Sequence, residues 1–211
     1  MSSPVKSETP LSIRTQSKEE LAAIVQQMNP ELEYLLDLNL SATTCRTLLV
    51  KKDGVECALK VRNVSRNIWD DTYFYYEIHA LHRVAERKLT GVTQLMGEYK
   101  NDRFHAILKS FAVGTPCNKL DLDELLHNSE FIKKLDALYL KLHLAGIAKI
   151  NFLPRKIVIS DDGELTLVDL STCIVNTTSG IQLFAQEMRR DSRFITQLER
   201  HATHQPGTRF F

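Results

Sequence analysis

The chain has 211 residues, of which 43% are apolar and 25% are charged, and its formal net charge is +1. These values are typical of a globular chain with its own core, and they give no electrostatic reason to expect nucleic acid or an anionic membrane as the main partner. No apolar run approaches the roughly 20 residues of a membrane span, so no span is predicted. The cysteines have no CxxC spacing and the N-terminus shows no secretion signal, which favours free thiols and a cytoplasmic location.

Strands dominate the predicted elements of the first half of the chain, after one short helix. Residues 1–16 are rich in Ser, Thr and Pro and are expected to form a disordered tail. Ser17 and Glu20 make a capping box that predicts a helix over Lys18–Met28. Apolar runs and turn signals then predict strands over residues 34–40, 46–51, 55–61, 94–100 and 104–111.

The strand over residues 55–61 carries a lysine in its middle. Its alternation places Lys60 on one face together with Glu56 and Ala58. The opposite, apolar face consists of Val55, Cys57, Leu59 and Val61. On this pattern alone, a lysine is more often a solvated face residue than a functional one.

A helix over residues 70–88, capped by Asp70 or Asp71, follows this strand. Its predicted apolar stripe consists of Phe74, Ile78, Leu81 and Ala85. Glu77 lies at the border of that stripe, where a carboxylate must find a cation or stay hydrated at the rim. Lys60 is the expected cation, and hydration at the rim is the alternative.

The sequence changes character after the strands. Gly114 and the Thr-Pro that follows it break the chain, so we place a lobe boundary within residues 112–118. The predicted division is an N-lobe over 17–113, a C-lobe over 114–200 and a tail over 201–211. Helices are predicted over residues 120–126, 129–144 and 180–200, the last as one helix or two. The predicted fold is α+β and two-lobed, with an antiparallel N-lobe sheet and one helix, followed by a small, mainly helical C-lobe.

The densest set of polar candidates lies in the C-lobe. A polar loop over residues 149–156 leads into a strand over Ile157–Ile159, a DDG turn and a second strand over residues 165–168. That second strand ends in Asp169. A loop, a hairpin and an acid at a strand end can hold polar groups beside a phosphate and a metal. For Asp169 the alternative is a turn acid without a ligand.

These elements follow the order of the protein-kinase-like superfamily, which the chain resembles over about residues 36–200. It is most similar to compact atypical bacterial members, such as lipopolysaccharide-core sugar kinases and RIO-type kinases. The third-strand signature V-A-I-K reads here as Cys57-Ala58-Leu59-Lys60. The resemblance implies that Lys60 holds the α- and β-phosphates of ATP and pairs with Glu77 on the following helix.

The catalytic-loop pattern H-R-D-L-x-x-x-N aligns without gaps on residues 149–156, and D-F-G aligns on Asp169-Leu170-Ser171. Two positions depart from the loop pattern. Asn151 stands where the pattern has the general-base aspartate, and its amide can orient a hydroxyl but cannot take its proton. Lys156 stands where the pattern has the metal-binding asparagine. It cannot ligate Mg²⁺ but can neutralise phosphate charge in the place of the second metal. The alternative is that both are plain loop residues.

A third departure lies in the loop that covers the nucleotide in this superfamily. No G-x-G-x-x-G occurs between the first strands, and SATTCR stands there, at residues 41–46. Thr43 and Thr44 are the expected contacts to the phosphates, without glycine's freedom for close backbone approach. Asp169 remains as the expected Mg²⁺ ligand.

Three functions follow from these residues. The first is a degenerate kinase-like domain: a nucleotide-binding pseudokinase or a weak ATP-dependent phosphotransferase, with ATP and Mg²⁺ as cofactors. The second is an active atypical kinase that phosphorylates an envelope sugar or a protein, in which Asn151 orients the acceptor. The third is an interaction module without nucleotide, in which Trp69 and the cluster Tyr73-Phe74-Tyr75-Tyr76 form a partner surface, unless these rings pack under the sheet.

Overall fold

The computed structural model describes Ile13 and residues 16–38, 45–64, 68–177 and 180–203, without the side chains of 68–71, 201 and 203. The chain divides into two compact units. The first unit comprises Met1–Arg66 and Met96–Phe111, and the second unit comprises Asn67–Leu95 and Ala112–Phe211. The fold is α+β, as predicted. None of the helices within the described ranges is long and apolar enough to cross a membrane.

The first unit is built on a five-stranded antiparallel sheet. In the order in which they pair, its strands are β1 (Leu32–Asp37), β2 (Cys45–Lys52), β3 (Val55–Asn63), β5 (Phe104–Ser110) and β4 (Leu95–Lys100). Asp53 and Gly54 join β2 to β3, both with positive φ, as a two-residue hairpin turn requires. This turn sets the register of β3 against β2, which places Lys60 opposite Thr47. On the other side of β3, Lys60 pairs with Ile107 of β5.

One face of this sheet carries the hydrophobic core of the first unit. The predicted helix is confirmed as α1 (Lys18–Met28), and Ser17 and Glu20 form its capping box. The core side chains are those of Leu21, Ile24, Val25, Leu32, Leu48, Val50, Cys57, Leu59, Val61, Phe104, Ala106 and Leu108. The alternation predicted for β3 is therefore confirmed, except that Val55 at its start is exposed.

Ile13 belongs to the same core. It is 1% exposed, its N–H donates to Asn63 Oδ1 at 2.7 Å, and its carbonyl accepts from Arg46 Nη1 at 3.1 Å. The expectation of a disordered tail is therefore wrong at this residue, while residues 1–12, 14 and 15 lie outside the described part of the chain. The few apolar residues of this polar segment show no sustained periodicity, so only the distant partners of Ile13 reveal its burial.

The second unit is mainly helical, with two small sheets. Its helices are α2 (Ile68–Glu86), α3 (Leu122–His127), α4 (Ser129–Leu144) and α5 (Ile181–Thr203). One sheet contains β6 (Thr115–Pro116), β8 (Ile157–Ile159) and β9 (Leu165–Leu167), and the other pairs β7 (Ile147–Ala148) with β10 (Ile174–Val175). A single helix, α5, follows residue 180, which decides between the one or two helices predicted there.

α2 differs from its prediction in three respects. It begins at Ile68, so Asp70 and Asp71 lie inside its first turn and not at the predicted N-cap position. Val84 is buried and Ala85 is exposed, because the buried stripe advances by three residues at this point instead of four. The helix also groups with the second unit, whereas the sequence analysis placed it in the N-lobe.

Gly114 leads the chain into the three-stranded sheet of the second unit, and its φ is +141°. A Cβ atom at this position would lie 2.2 Å from the carbonyl oxygen of Ile159, which no side chain can tolerate. This close approach brings Thr115 into register with Ile159 in the β6–β8 ladder. The chain break predicted at Gly114 is therefore a backbone contact that requires glycine.

Candidate functional site

Lys60 lies on the face of the first unit's sheet that is opposite to its core. Arg62 on β3 and Lys109 on β5 lie on the same face, because Ala58 pairs with Lys109 and Arg62 pairs with His105. Arg62 and Lys109 are each 3% exposed, and Lys60 is half-buried. The face around Lys60 is therefore basic, and since Lys60 itself stays partly exposed, its functional role stays a prediction.

Glu77 lies on the buried stripe of α2 and is 0% exposed. The stripe also contains Phe74, Ala80, Leu81 and Val84. The alternative of hydration at the rim is therefore wrong, since a carboxylate this deep needs compensation from within the protein. The predicted pair with Lys60 stays a prediction, because Lys60 belongs to the other compact unit.

The loop that aligns with the kinase catalytic loop has a strained backbone. Lys149 has a φ of +61° and Asn151 a φ of +48°, both in the left-handed region. Asparagine tolerates this region, but lysine rarely adopts it. Each such residue costs on the order of 1–3 kcal/mol, so the surrounding structure must hold the loop in place.

Asp191 on α5 is the main anchor of this loop. Its two carboxylate oxygens each accept from the backbone N–H of Ile150 at 3.2 Å, and Oδ2 lies 3.1 Å from Nε2 of His143 on α4. Asp191 is 6% exposed. The ring of Phe152 stacks on that of Phe194 at 5.6 Å between centroids, and this is a second contact between the loop and α5.

Lys156 and Asp169 form an ion pair at the end of the hairpin, with 3.4 Å between Nζ and Oδ2. Lys156 is 4% exposed, whereas the side chain of Asp169 is 29% exposed. The ammonium also lies 3.3 Å from Thr172 Oγ1 and 3.5 Å from Ser171 Oγ. The other oxygen of Asp169 accepts from the backbone N–H of Ser171 at 2.8 Å. The two predicted site residues therefore meet, although each was assigned a different role.

Cys173 lies among the charged groups of this region. Burial raises the pKa of its thiol above the ordinary range, with smaller effects from nearby charges. Lys156 lowers this pKa, and Asp169, Asp191 and Glu77 raise it. In the second unit, three carboxylates and one ammonium thus affect the pKa of the same buried thiol.

The surroundings of Asp169 do not fit a Mg²⁺ ion. Mg²⁺ takes oxygen ligands in octahedral geometry, but the ammonium of Lys156 lies against the Asp169 carboxylate and repels a second cation. Within the described residues, no group of three or more His, Cys, Asp or Glu side chains is placed to hold a metal ion. The assignment of Mg²⁺ to Asp169 stays a prediction, and the charges around it argue against it.

Two predicted phosphate contacts, Thr43 and Thr44, lie outside the described residues. Of the same segment, Cys45 opens β2, and Arg46 pairs with Asp37. The guanidinium of Arg46 is therefore bound to the neighbouring strand β1.

Sequence reasoning missed Asp191 as a loop anchor, although a signal for it was present. Asp191 and Glu187 lie at helical spacing from Phe184 and Ile195, so two acids interrupt the apolar stripe of α5. Carboxylates on a buried face indicate internal donors that they must satisfy. By contrast, no sequence pattern indicates that the hydroxyl groups of Ser171 and Thr172 lie beside Lys156, because only the folded hairpin brings them together.

The described part of the chain also forms a surface groove of about 430 Å³ along α5. It is lined by Met188, Arg189, Ser192, Arg193, Thr196, Gln197 and Arg200. None of the predicted site residues lines it, so its volume has no bearing on the chemistry around Asp169.

Comparison with models of known protein families and with curated proteins gives no match to this chain.

Proposed function

We propose that the chain is a protein-kinase-like domain with a degenerate active site, a nucleotide-binding pseudokinase or a weak ATP-dependent phosphotransferase. The observation that carries the proposal is the meeting of Lys156 with Asp169 beside a strained, anchored loop. Loops that position ligands often keep such strained residues, and here two of them lie within three positions of each other.

The loop supports binding better than it supports catalysis. Asn151 has an exposed side chain at a position with positive φ, so its amide is available to orient a ligand hydroxyl. It cannot remove a proton, and general-base assistance typically contributes a factor of about 10²–10⁴ in rate. Phosphoryl transfer depends mainly on positioning and electrostatics, so slow transfer remains compatible with this site.

Lys60 is the residue that the proposal assigns to the nucleotide phosphates. The basic face on which it lies supports this assignment, because Arg62 and Lys109 add positive charge on the same face.

The binding test is a thermal-shift titration of the purified full chain with ATP. We expect the melting temperature to rise with ATP concentration, because a ligand of the folded state stabilises it. Lys60→Ala should reduce this rise, whereas Lys100→Ala, at an exposed lysine of β4, should leave it unchanged. An unchanged melting temperature at millimolar ATP would refute the proposal.

The transfer test uses γ-labelled ATP with Mg²⁺ or Mn²⁺. We expect little or no transfer to the chain itself or to added acceptors. Rapid transfer that is lost in Asp169→Ala but kept in Asp161→Ala, at an exposed acid of the same hairpin, would instead establish the active atypical kinase. Its acceptor would then be an envelope sugar or a protein.

The interaction module without nucleotide rests on the tyrosines of α2. Tyr73 is 59% exposed, and Tyr75 and Tyr76 are each 37% exposed, whereas Phe74 is buried. Exposed tyrosines side by side favour a protein contact, since such rings are enriched at interfaces. The thermal-shift titration separates this function from the others, because the module does not respond to ATP.

A further inference from the structure

We propose that Lys156 is a built-in cation that takes the place of the divalent metal, so that nucleotide binds at this site without Mg²⁺. The inference rests on the proposed nucleotide-binding function and specifies its ligand as the metal-free nucleotide. The observation behind it is the position of one buried ammonium beside the only carboxylate that was predicted to bind the metal.

The backbone holds Lys156 rigidly at this position. It ends a short 3₁₀ helix, Pro154–Lys156, and its N–H donates to the carbonyl of Leu153 at 2.8 Å. Its carbonyl accepts from the N–H of Val168 at 2.8 Å, directly before Asp169. The backbone of Lys156 is therefore bound both to the loop before it and to the residue that precedes Asp169, which places the lysine next to the carboxylate.

The oxygens around the ammonium leave capacity for a stronger acceptor. Its contacts to Asp169, Thr172 and Ser171 measure 3.4, 3.3 and 3.5 Å, at or beyond the long end of normal hydrogen bonds. An ammonium has three donors and binds a phosphate oxygen at shorter distance. A nucleotide phosphate can thus take up donor capacity that the protein uses only weakly.

The charges explain why a metal is not needed and not favoured. In protein kinases, Mg²⁺ offsets the repulsion between the metal-binding aspartate and the nucleotide phosphates. Here the positive charge of Lys156 does so, and it is present before the nucleotide arrives. A divalent ion placed on Asp169 would lie against this ammonium, and like charges at such a distance repel each other.

The test compares nucleotide affinity with and without metal, by calorimetric titration of the full chain with ATP in EDTA and in Mg²⁺. We expect the two dissociation constants of the wild-type chain to agree within about threefold. Lys156→Asn supplies an oxygen ligand and removes the cation. We expect its affinity in EDTA to fall by about tenfold or more and to recover with Mg²⁺. Lys133→Asn, at an exposed lysine of α4, should behave like the wild-type chain.

A second readout needs no nucleotide. Binding of Mn²⁺ alone, followed by electron paramagnetic resonance, should be undetectable at this site in the wild-type chain and detectable in Lys156→Asn. If that variant does not fold by circular dichroism, Lys156→Gln replaces it, and the wild-type comparison of EDTA with Mg²⁺ stands without either variant.

The outcomes separate the two proposals. Nucleotide binding by the wild-type chain that disappears in EDTA overturns the built-in cation but leaves the nucleotide-binding function intact. Mn²⁺ binding by the wild-type chain that is lost in Asp169→Ala overturns the built-in cation as well. Absence of nucleotide binding in both EDTA and Mg²⁺ overturns the proposed function and, with it, this inference.

Discussion

Asp191 shows how much of the candidate site depends on a single side chain. Its carboxylate accepts from the N–H of Ile150 and lies within hydrogen-bond distance of His143, so it joins the loop over residues 149–156 to two helices. The loop contains two residues with positive φ, and this anchor offsets part of their conformational cost.

Asp191→Ala should lower the free energy of unfolding by about 2–4 kcal/mol. The change leaves the N–H of Ile150 without its acceptor in a buried environment, and an unsatisfied buried donor costs about 1–3 kcal/mol before any loop rearrangement. Urea unfolding followed by circular dichroism measures the effect. Asp136→Ala, at an exposed acid of α4, should change stability by less than about 0.5 kcal/mol. Equal effects of the two variants would show that Asp191 is not an anchor.

Among the elements, the three-stranded sheet of the second unit depends on a close backbone contact in addition to its buried side chains. Its strands β6, β8 and β9 are short, and Gly114 brings the chain against β8. The hairpin β8–β9 carries Lys156 at its entrance and Asp169 at its exit, so the sheet determines the distance between the two charges.

Gly114→Ala should destabilise the protein by about 3 kcal/mol or more, because the new Cβ would meet the carbonyl oxygen of Ile159. Gly54→Ala is the matched control. Gly54 also has a positive φ, of +82°, but a Cβ there has nothing within 4 Å. That control should therefore cost only about 1 kcal/mol of backbone strain. Thermal and urea unfolding would measure both, and a smaller loss for Gly114→Ala than for Gly54→Ala would contradict the close contact.

At the scale of the whole molecule, the burial of thiol and phenol groups makes the stability of the fold depend on pH in the alkaline range. Burial raises the pKa of Cys117 to about 11, and it also raises the pKa values of the Cys57 and Cys173 thiols and of the Tyr139 phenol. Tyr139 is 2% exposed, and its hydroxyl has no hydrogen-bond partner among the described residues. Each of these groups resists ionisation in the folded chain more than in the unfolded one.

The free energy of unfolding should therefore fall as the pH rises above about 9. The unfolded chain releases the thiol proton near the ordinary pKa of about 8.5, while folded Cys117 keeps it until about pH 11. In that interval the unfolded state binds fewer protons, so stability falls with a slope of about 1.4 kcal/mol per pH unit for each such group. Below this window the contribution is fully present.

Cys117→Ala isolates one of these groups. Urea unfolding at several pH values between 8 and 11 should show a shallower decline for the variant than for the wild-type chain, by about one proton. Cys45→Ala, at a partly exposed thiol, is the comparison. If Cys117→Ala leaves the slope unchanged, this thiol does not contribute to the alkaline loss of stability.

Local sequence determined the elements whose signals lie within a few residues. The capping box of Ser17 and Glu20, the alternation of β3 and the helix Ser129–Leu144 all follow from spacing and turn chemistry, and the structure confirms each of them. These signals act over one or two turns of chain, so propensity and periodicity suffice to detect them.

Tertiary structure decided which candidate residues are buried and which of them meet. The full burial of Glu77 depends on the packing around it, the anchoring of Ile150 by Asp191 joins positions far apart in the sequence, and the pairing of Lys156 with Asp169 spans the β8–β9 hairpin. No local pattern specifies such pairs, because their energies depend on desolvation and on distances that only the packed chain sets. By itself, the sequence therefore determined the order of the elements and the polar candidates, while packing placed a cation beside the predicted metal ligand.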